Sequence, residues 1–145
     1  MTESKRHRIL FVCIGNSCRS PMAEAIANQK YPELMDAFSA GLGPAPIVQA
    51  LTFSCLEDAG VTLNPDKRPQ KLDKSDWASA DYIVNMSGYG VYSVIPQYKG
   101  QLLIWEVPDP IGKPMGAYRE ARDMIDQQIA RFAEALKNGT RLPGI

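Results

Sequence analysis

The chain has 145 residues, 45% of them hydrophobic, with 16 basic and 16 acidic side chains and a formal charge of zero. That length and apolar content suit one domain over residues 1–145, with a core of its own. The charge balance provides no global field for nucleic acid or a membrane surface, and no apolar run approaches the ~20 residues that cross a bilayer. Residues 1–8 are polar and basic, and only the run Ile9-Leu10-Phe11-Val12 follows, too short for a secretory signal. Three cysteines, Cys13, Cys18 and Cys55, are an odd number in a chain large enough to fold without staples, so the expected setting is a reducing cytoplasm. The single histidine, His7, sits in the charged tail and reads as a surface residue. One histidine excludes a histidine-based triad and a zinc site, and no metal or other cofactor is expected.

In chain order, residues 8–12 read as a strand and residues 21–30 as a helix that Tyr31-Pro32 breaks. Residues 35–40 form a short strand before the turn-rich Gly41-Leu42-Gly43-Pro44-Ala45-Pro46. Residues 48–59 carry apolar side chains at helical spacing, with Cys55 as a packing residue and Gly60 at the end. Residues 62–70 read as a loop, 74–80 as a short helix, 82–86 as a strand, 89–98 as a short helix and 101–105 as a strand. A proline-rich loop over 107–116 leads to a final amphipathic helix, residues 117–137, with Gly139 beyond it. This alternation predicts an α/β fold whose parallel sheet is covered by helices on both faces. In such folds ligands bind beyond the carboxyl ends of the strands.

The first strand leaves at that edge through Cys13-Ile14-Gly15-Asn16-Ser17-Cys18-Arg19-Ser20-Pro21. A strand turning tightly into a helix N-terminus aims successive backbone N–H groups at one point, a cradle for a tetrahedral oxyanion. Cys13 would lie beneath the anion as nucleophile, because a helix N-terminus and a nearby cation favour the thiolate. Arg19 can clamp the phosphoryl oxygens in a bidentate fork, and residues 14–19 supply the amides. Gly15 permits a positive φ or a close approach, and Asn16 tolerates a left-handed backbone. Ser20 can cap the helix at Pro21, or turn its hydroxyl toward the Cys13 sulfur. Phosphoryl transfer also needs a general acid that later activates water, and Asp109, held between Pro108 and Pro110, is the candidate. Trp105 and Tyr118 lie close enough in sequence order to flank that loop, although both tryptophans read first as packing residues.

The segment from Val12 to Glu24, with Ser39-Ala40-Gly41, Asp81-Tyr82-Ile83 and Asp109-Pro110, resembles the low-molecular-weight protein tyrosine phosphatase family over nearly the whole chain. The resemblance implies a four-stranded parallel sheet and hydrolysis of phosphotyrosine through a phosphocysteine on Cys13. It implies Arg19 as clamp, Asp109 as acid then base, Ser39 holding Asn16, and Cys18 as a guard thiol able to pair reversibly with Cys13. The implied partners are a phosphorylated protein or peptide and an oxyanion such as inorganic phosphate. Several positions depart from the tyrosine-directed pattern. Ser17 stands where those enzymes carry a bulky apolar residue, Ile111-Gly112 follows the Asp-Pro pair in place of aromatics, and Ser87 replaces an aspartate. Lys67 or Arg68 stands near the place of a loop-supporting histidine. A small hydroxyl residue at position 17 is similar to protein-arginine phosphatases, and the Gly-Asn-Ser-Cys-Arg-Ser string to thioredoxin-linked arsenate reductases. The latter need relay cysteines after the third strand, where residues 82–98 have none. A phosphate-binding module without catalysis is the remaining alternative.

Overall fold

Four parallel strands form from the apolar runs: β1 (His7–Cys13), β2 (Met35–Gly41), β3 (Tyr82–Asn85) and β4 (Gln101–Ile104). The computed structural model describes residues 6–145, so the start of the tail read above lies outside the described residues. The sheet order is β2-β1-β3-β4. Leu10 pairs with Phe38 on one side and Ile83 on the other, and Val84 pairs with Leu103. From Ile9 to Val12, β1 is wholly buried, as a central parallel strand covered on both faces must be. The chain steps from β1 out to β2, and β3 then returns on the opposite side of β1. The carboxyl end of β1 is therefore the switch point, where a crevice opens.

One face of the sheet carries Ile9, Phe11, Val84, Leu103 and Trp105, packed under α1 (Arg19–Lys30), α2 (Ala50–Asp58) and α3 (Met115–Asn138). Helix α1 lies between the sheet and α3, and eight of its twelve residues are buried. It consequently has no clean polar stripe. Helix α3 lays Ile125, Ile129 and Phe132 on the core and ends at Gly139, whose φ of 66° is the left-handed stop that glycine provides. The tryptophans are packing residues: Trp105 meets Phe11 and Phe132, and Trp77 meets Tyr98 edge-on. Cys55 is fully buried in this core.

The opposite face, with Leu10, Val12 and Ile83, is covered by thinner structure. The helix expected over residues 74–80 is a pair of short 3-10 helices, Leu72–Lys74 and Trp77–Ser79. The one expected over 89–98 is a chain of turns that still buries Val91, Ile95 and Tyr98. Gly88, with φ 82°, and Pro96 prevent a regular helix there. Helical elements thus cover both faces, α-helices on one and 3-10 turns on the other. His7, expected at the surface, is half-buried in β1 with its ring 5.8 Å from that of Tyr82. Among the described residues no helix is long and apolar enough to cross a membrane.

Candidate active site

Residues 14–18 wrap a bowl at the end of β1. Their carbonyls turn outward: Ile14 O accepts from Gly43 N, Gly15 O from Ala45 N and Ser17 O from Gln49 N, at 2.9–3.0 Å. No backbone N–H of residues 14–18 donates to another described group, so these amides remain available to an anion. The turn is made at Asn16, whose φ of 51° is the one positive value among described non-glycine residues. Gly15 does not take a positive φ. The glycine that the loop requires is Gly41, across from it in β2. A Cβ at Gly41 would fall 2.7 Å from Ile14 O and 2.8 Å from Asn16 N, both backbone atoms.

Helix α1 starts at Arg19, two residues earlier than expected, with no side-chain cap. Ser20 therefore lies in the first turn, and of its two anticipated roles it takes the one directed at sulfur. Cys13 Sγ is 2.9 Å from Ser20 Oγ, and Ser20 N donates to the same sulfur at 3.4 Å. Asn16 Nδ2 donates to Ser20 Oγ at 2.8 Å and to Ser39 Oγ at 2.9 Å, while Asn16 Oδ1 accepts from Gln70 N. With its oxygen engaged by Asn16, Ser20 can direct its proton at Cys13; the alternative acceptor, Ala40 O, is farther, at 3.5 Å. All of these side chains except Gln70 are buried.

Arg19 is 5% exposed. Its Nη1 donates to Met86 O at 2.6 Å and to Val107 O at 2.9 Å, the carbonyls just beyond β3 and near the end of β4. These contacts leave Nη2 toward Asp109, whose Oδ2 is 3.4 Å away. Asp109 Oδ1 accepts from Ile111 N, which turns the loop back on itself. Cys13, Ser17, Cys18, Arg19 and Asp109 line one cavity of about 220 Å³ with Ile14 and Ile111 at its sides. The structure thus brings together every residue singled out in the Cys13–Ser20 string with Ser39 and Asp109. Cys18 Sγ donates to the Tyr118 phenol oxygen at 3.7 Å, and burial pushes the Cys18 thiol above its ordinary value despite its hydrogen bonds with Tyr118, Ser17 and Thr52. No group of three or more metal-ligating side chains exists among the described residues.

Two further participants were only weakly signalled in the sequence. Glu24 Oε1 accepts from Ser39 Oγ at 2.7 Å and from Lys67 Nζ at 2.8 Å, and both charged side chains are about five-sixths buried, 16% and 14% exposed. Because a carboxylate only accepts, Glu24 fixes the Ser39 proton and leaves Ser39 Oγ free to receive Asn16. An ordered line of hydrogen bonds runs from Lys67 through Glu24, Ser39, Asn16 and Ser20 to Cys13. Lys67 was one of two residues, with Arg68, read near the place of a loop-supporting histidine, and Glu24 closed the Val12–Glu24 segment that carries the family resemblance without a role assigned to it.

A phosphate-type cradle at the switch point of a 2-1-3-4 sheet, with a cysteine floor and an Asp-Pro loop above it, defines a low-molecular-weight phosphatase fold. The low molecular weight phosphotyrosine protein phosphatase model matches residues 8–142, and the chain belongs to that family. It is 31% identical over 144 residues to the protein-arginine-phosphatase of Geobacillus stearothermophilus, covering 90% of this chain and 97% of that one. A solved arginine phosphatase structure from the same organism superposes with a TM-score of 0.82 at 29% identity, over 92% of this chain and 94% of that one. An arsenate reductase of Brevibacillus brevis is 31% identical over 134 residues, 91% of this chain and 97% of the reductase. The low molecular weight protein tyrosine phosphatase of T. tengcongensis superposes with a TM-score of 0.77 at 29% identity, over 88% and 98% of the two chains.

Proposed function

We propose that this chain hydrolyses phosphorylated protein side chains, phosphotyrosine first among them, through a phosphocysteine on Cys13. The observation that carries the reading is the hydrogen-bonded line ending at the Cys13 sulfur inside an amide-lined bowl. In the first step the Cys13 thiolate attacks phosphorus, the S–P bond forms and the P–O bond to the substrate breaks. Asp109 gives its proton to the departing oxygen. The equatorial oxygens are held by the amides of Ile14, Gly15, Asn16, Ser17 and Cys18 and by the Arg19 fork. In the second step Asp109 takes a proton from water, the water oxygen attacks phosphorus and the S–P bond breaks. Ser20 stabilises the returning thiolate. Ile14 and Ile111, 37% and 47% exposed at the mouth, offer apolar flanks to a phenyl ring.

A second reading, phosphoarginine, is favoured by Ser17. Ser17 lines the cavity and is 2% exposed, and among the described residues no aromatic side chain walls that cavity. The arginine phosphatase relative supports the same reading. Arsenate reduction is the weaker fit, because the third cysteine, Cys55, is buried in the core rather than placed to relay a disulfide. The test is turnover of p-nitrophenyl phosphate and of phosphotyrosine and phosphoarginine peptides. Loss of all turnover in Cys13→Ser is expected. Higher phosphotyrosine and lower phosphoarginine activity in Ser17→Ile would make Ser17 the selector. Turnover surviving in Cys13→Ser would refute the covalent route.

A further inference from the structure

On the far side of Arg19 from Cys13 the molecule has a second, larger cavity of about 980 Å³. It lies among the carboxyl end of β4 and the loops that follow β3 and β4. Arg19 borders both cavities, and along the loop after β4 Pro108 borders the larger and Asp109 the smaller. The walls are apolar and uncovered: Tyr89, Tyr92, Ile104 and Met124 are 65%, 50%, 56% and 40% exposed. β4 is the edge strand, so no further strand shields Ile104. Two charged side chains line the cavity. Arg19 is already engaged by Met86 O, Val107 O and Asp109. Glu106 makes no ion pair and no side-chain hydrogen bond with any described residue. The uncommitted charge of the groove is therefore negative.

We propose that this groove holds the polypeptide flanking the phosphorylated residue, and that it selects a flank carrying arginine or lysine. The inference rests on the phosphatase reading above. A cavity of about 220 Å³ takes the phosphoryl group and the side chain that bears it, so the rest of a protein substrate must lie outside it. The groove is the adjoining surface: Arg19 walls both cavities, and along the loop after β4 the rim passes from Pro108 in one to Asp109 in the other. A basic side chain satisfies each of its chemical features. The cation meets the Glu106 carboxylate and the faces of Tyr89 and Tyr92, and its aliphatic stem lies along Ile104 and Met124. An acidic flank would face Glu106 with like charge.

The test is a phosphopeptide series in which one lysine, and in a parallel series one glutamate, is walked through about three positions on each side of the phosphoresidue. At the best position kcat/KM should favour lysine over glutamate by roughly threefold to tenfold, the range of an exposed ion pair with a cation–π contact. Glu106→Gln and Tyr89→Ala should each pull that ratio toward one. Equal rates, an acidic preference, or a ratio that survives both substitutions would overturn the proposal. So would a concentration-dependent dimer that Tyr92→Ala dissolves, which would assign the groove to a second copy of the chain. The same peptides titrated onto the Cys13→Ser protein read the groove by binding alone. Failure of the wild-type protein on p-nitrophenyl phosphate would count against the phosphatase reading, with the binding ratio still deciding the groove.

Discussion

Replacing Lys67 with methionine removes one end of the hydrogen-bonded line while keeping the bulk of the stem. The Lys67 Nζ–Glu24 Oε1 separation is 2.8 Å. At an effective dielectric of about 20 such a pair attracts by ~6 kcal/mol before desolvation is counted. Desolvation of both groups offsets much of that, and the remaining exposure of 14% and 16% screens more. The net cost of leaving Glu24 charged and unpaired should be about 2 kcal/mol. For a chain of this size that corresponds to a fall of roughly 5–8 °C in Tm. The catalytic consequence follows from proton order. Without Lys67 Nζ to hold it, the Glu24 carboxylate can swing away from Ser39 and no longer fixes the Ser39 proton. The Ser39 hydroxyl then competes with Asn16, and Ser20 loses its orientation toward Cys13. Loss of about one hydrogen bond's worth of alignment predicts a kcat reduced by about tenfold with KM for p-nitrophenyl phosphate nearly unchanged. Lys67→Arg should recover most of both quantities. Glu24→Gln combined with Lys67→Met should cost less than the sum of the single changes by about 1 kcal/mol, since no unpaired charge remains. Thermal melts and steady-state kinetics on the four variants check this. Strict additivity, or a kcat for Lys67→Met within twofold of the wild type, would refute the reasoning.

Asp109→Asn should lower turnover by roughly 10²-fold to 10⁴-fold while phosphate affinity stays largely intact, measured by kinetics and calorimetric titration. Gly41→Ala should disturb the bowl, because the added methyl meets Ile14 O and Asn16 N below 3.0 Å and both are backbone atoms; a loss of about 1–3 kcal/mol in denaturant melts and weaker phosphate binding are expected. Burial raises the Cys55 thiol from an ordinary value of 9.0 to about 11, ahead of the smaller lowering by Arg122. The folded chain therefore keeps a proton that the unfolded chain loses, so this group's contribution to stability should fall as pH rises from about 9 to about 11. Urea melts across that window should show a steeper decline in the wild type than in Cys55→Ala.

The parallel sheet was legible because β1 and β3 are buried on both faces and read as short uninterrupted apolar runs. The cradle was legible because its chemistry is local: a cysteine, a left-handed asparagine and an arginine sit within seven residues of chain. The covering of the second face was not, since Val91, Ile95 and Tyr98 repeat with helical spacing while Gly88 and Pro96 block the helix. Tertiary burial selected turns that keep the same side chains inward. Helix α1 begins two residues before Pro21, the residue that marks a helix start in the sequence, because hydrogen bonding from Met22 N to Cys18 O extends it to Arg19. Glu24 and Lys67 lie 43 positions apart and become partners only when the 62–70 loop folds over β2. No short-range pattern encodes such a pairing. Gly41 was visible as turn chemistry, and its real constraint, contact with the neighbouring loop, is likewise long-range.

Helix α1 carries Arg19 and Ser20 at its first turn and is enclosed by the sheet and α3 for most of its length. The segment that grips the anion is thus also the mechanical centre of the domain. Amide protons of α1 should exchange with solvent only through global opening, at the slowest rates in the molecule, whereas those of residues 107–112 should exchange early. Evolution can then retune what enters the crevice by editing its rim, but a change at its base is a change to the foundation of the fold.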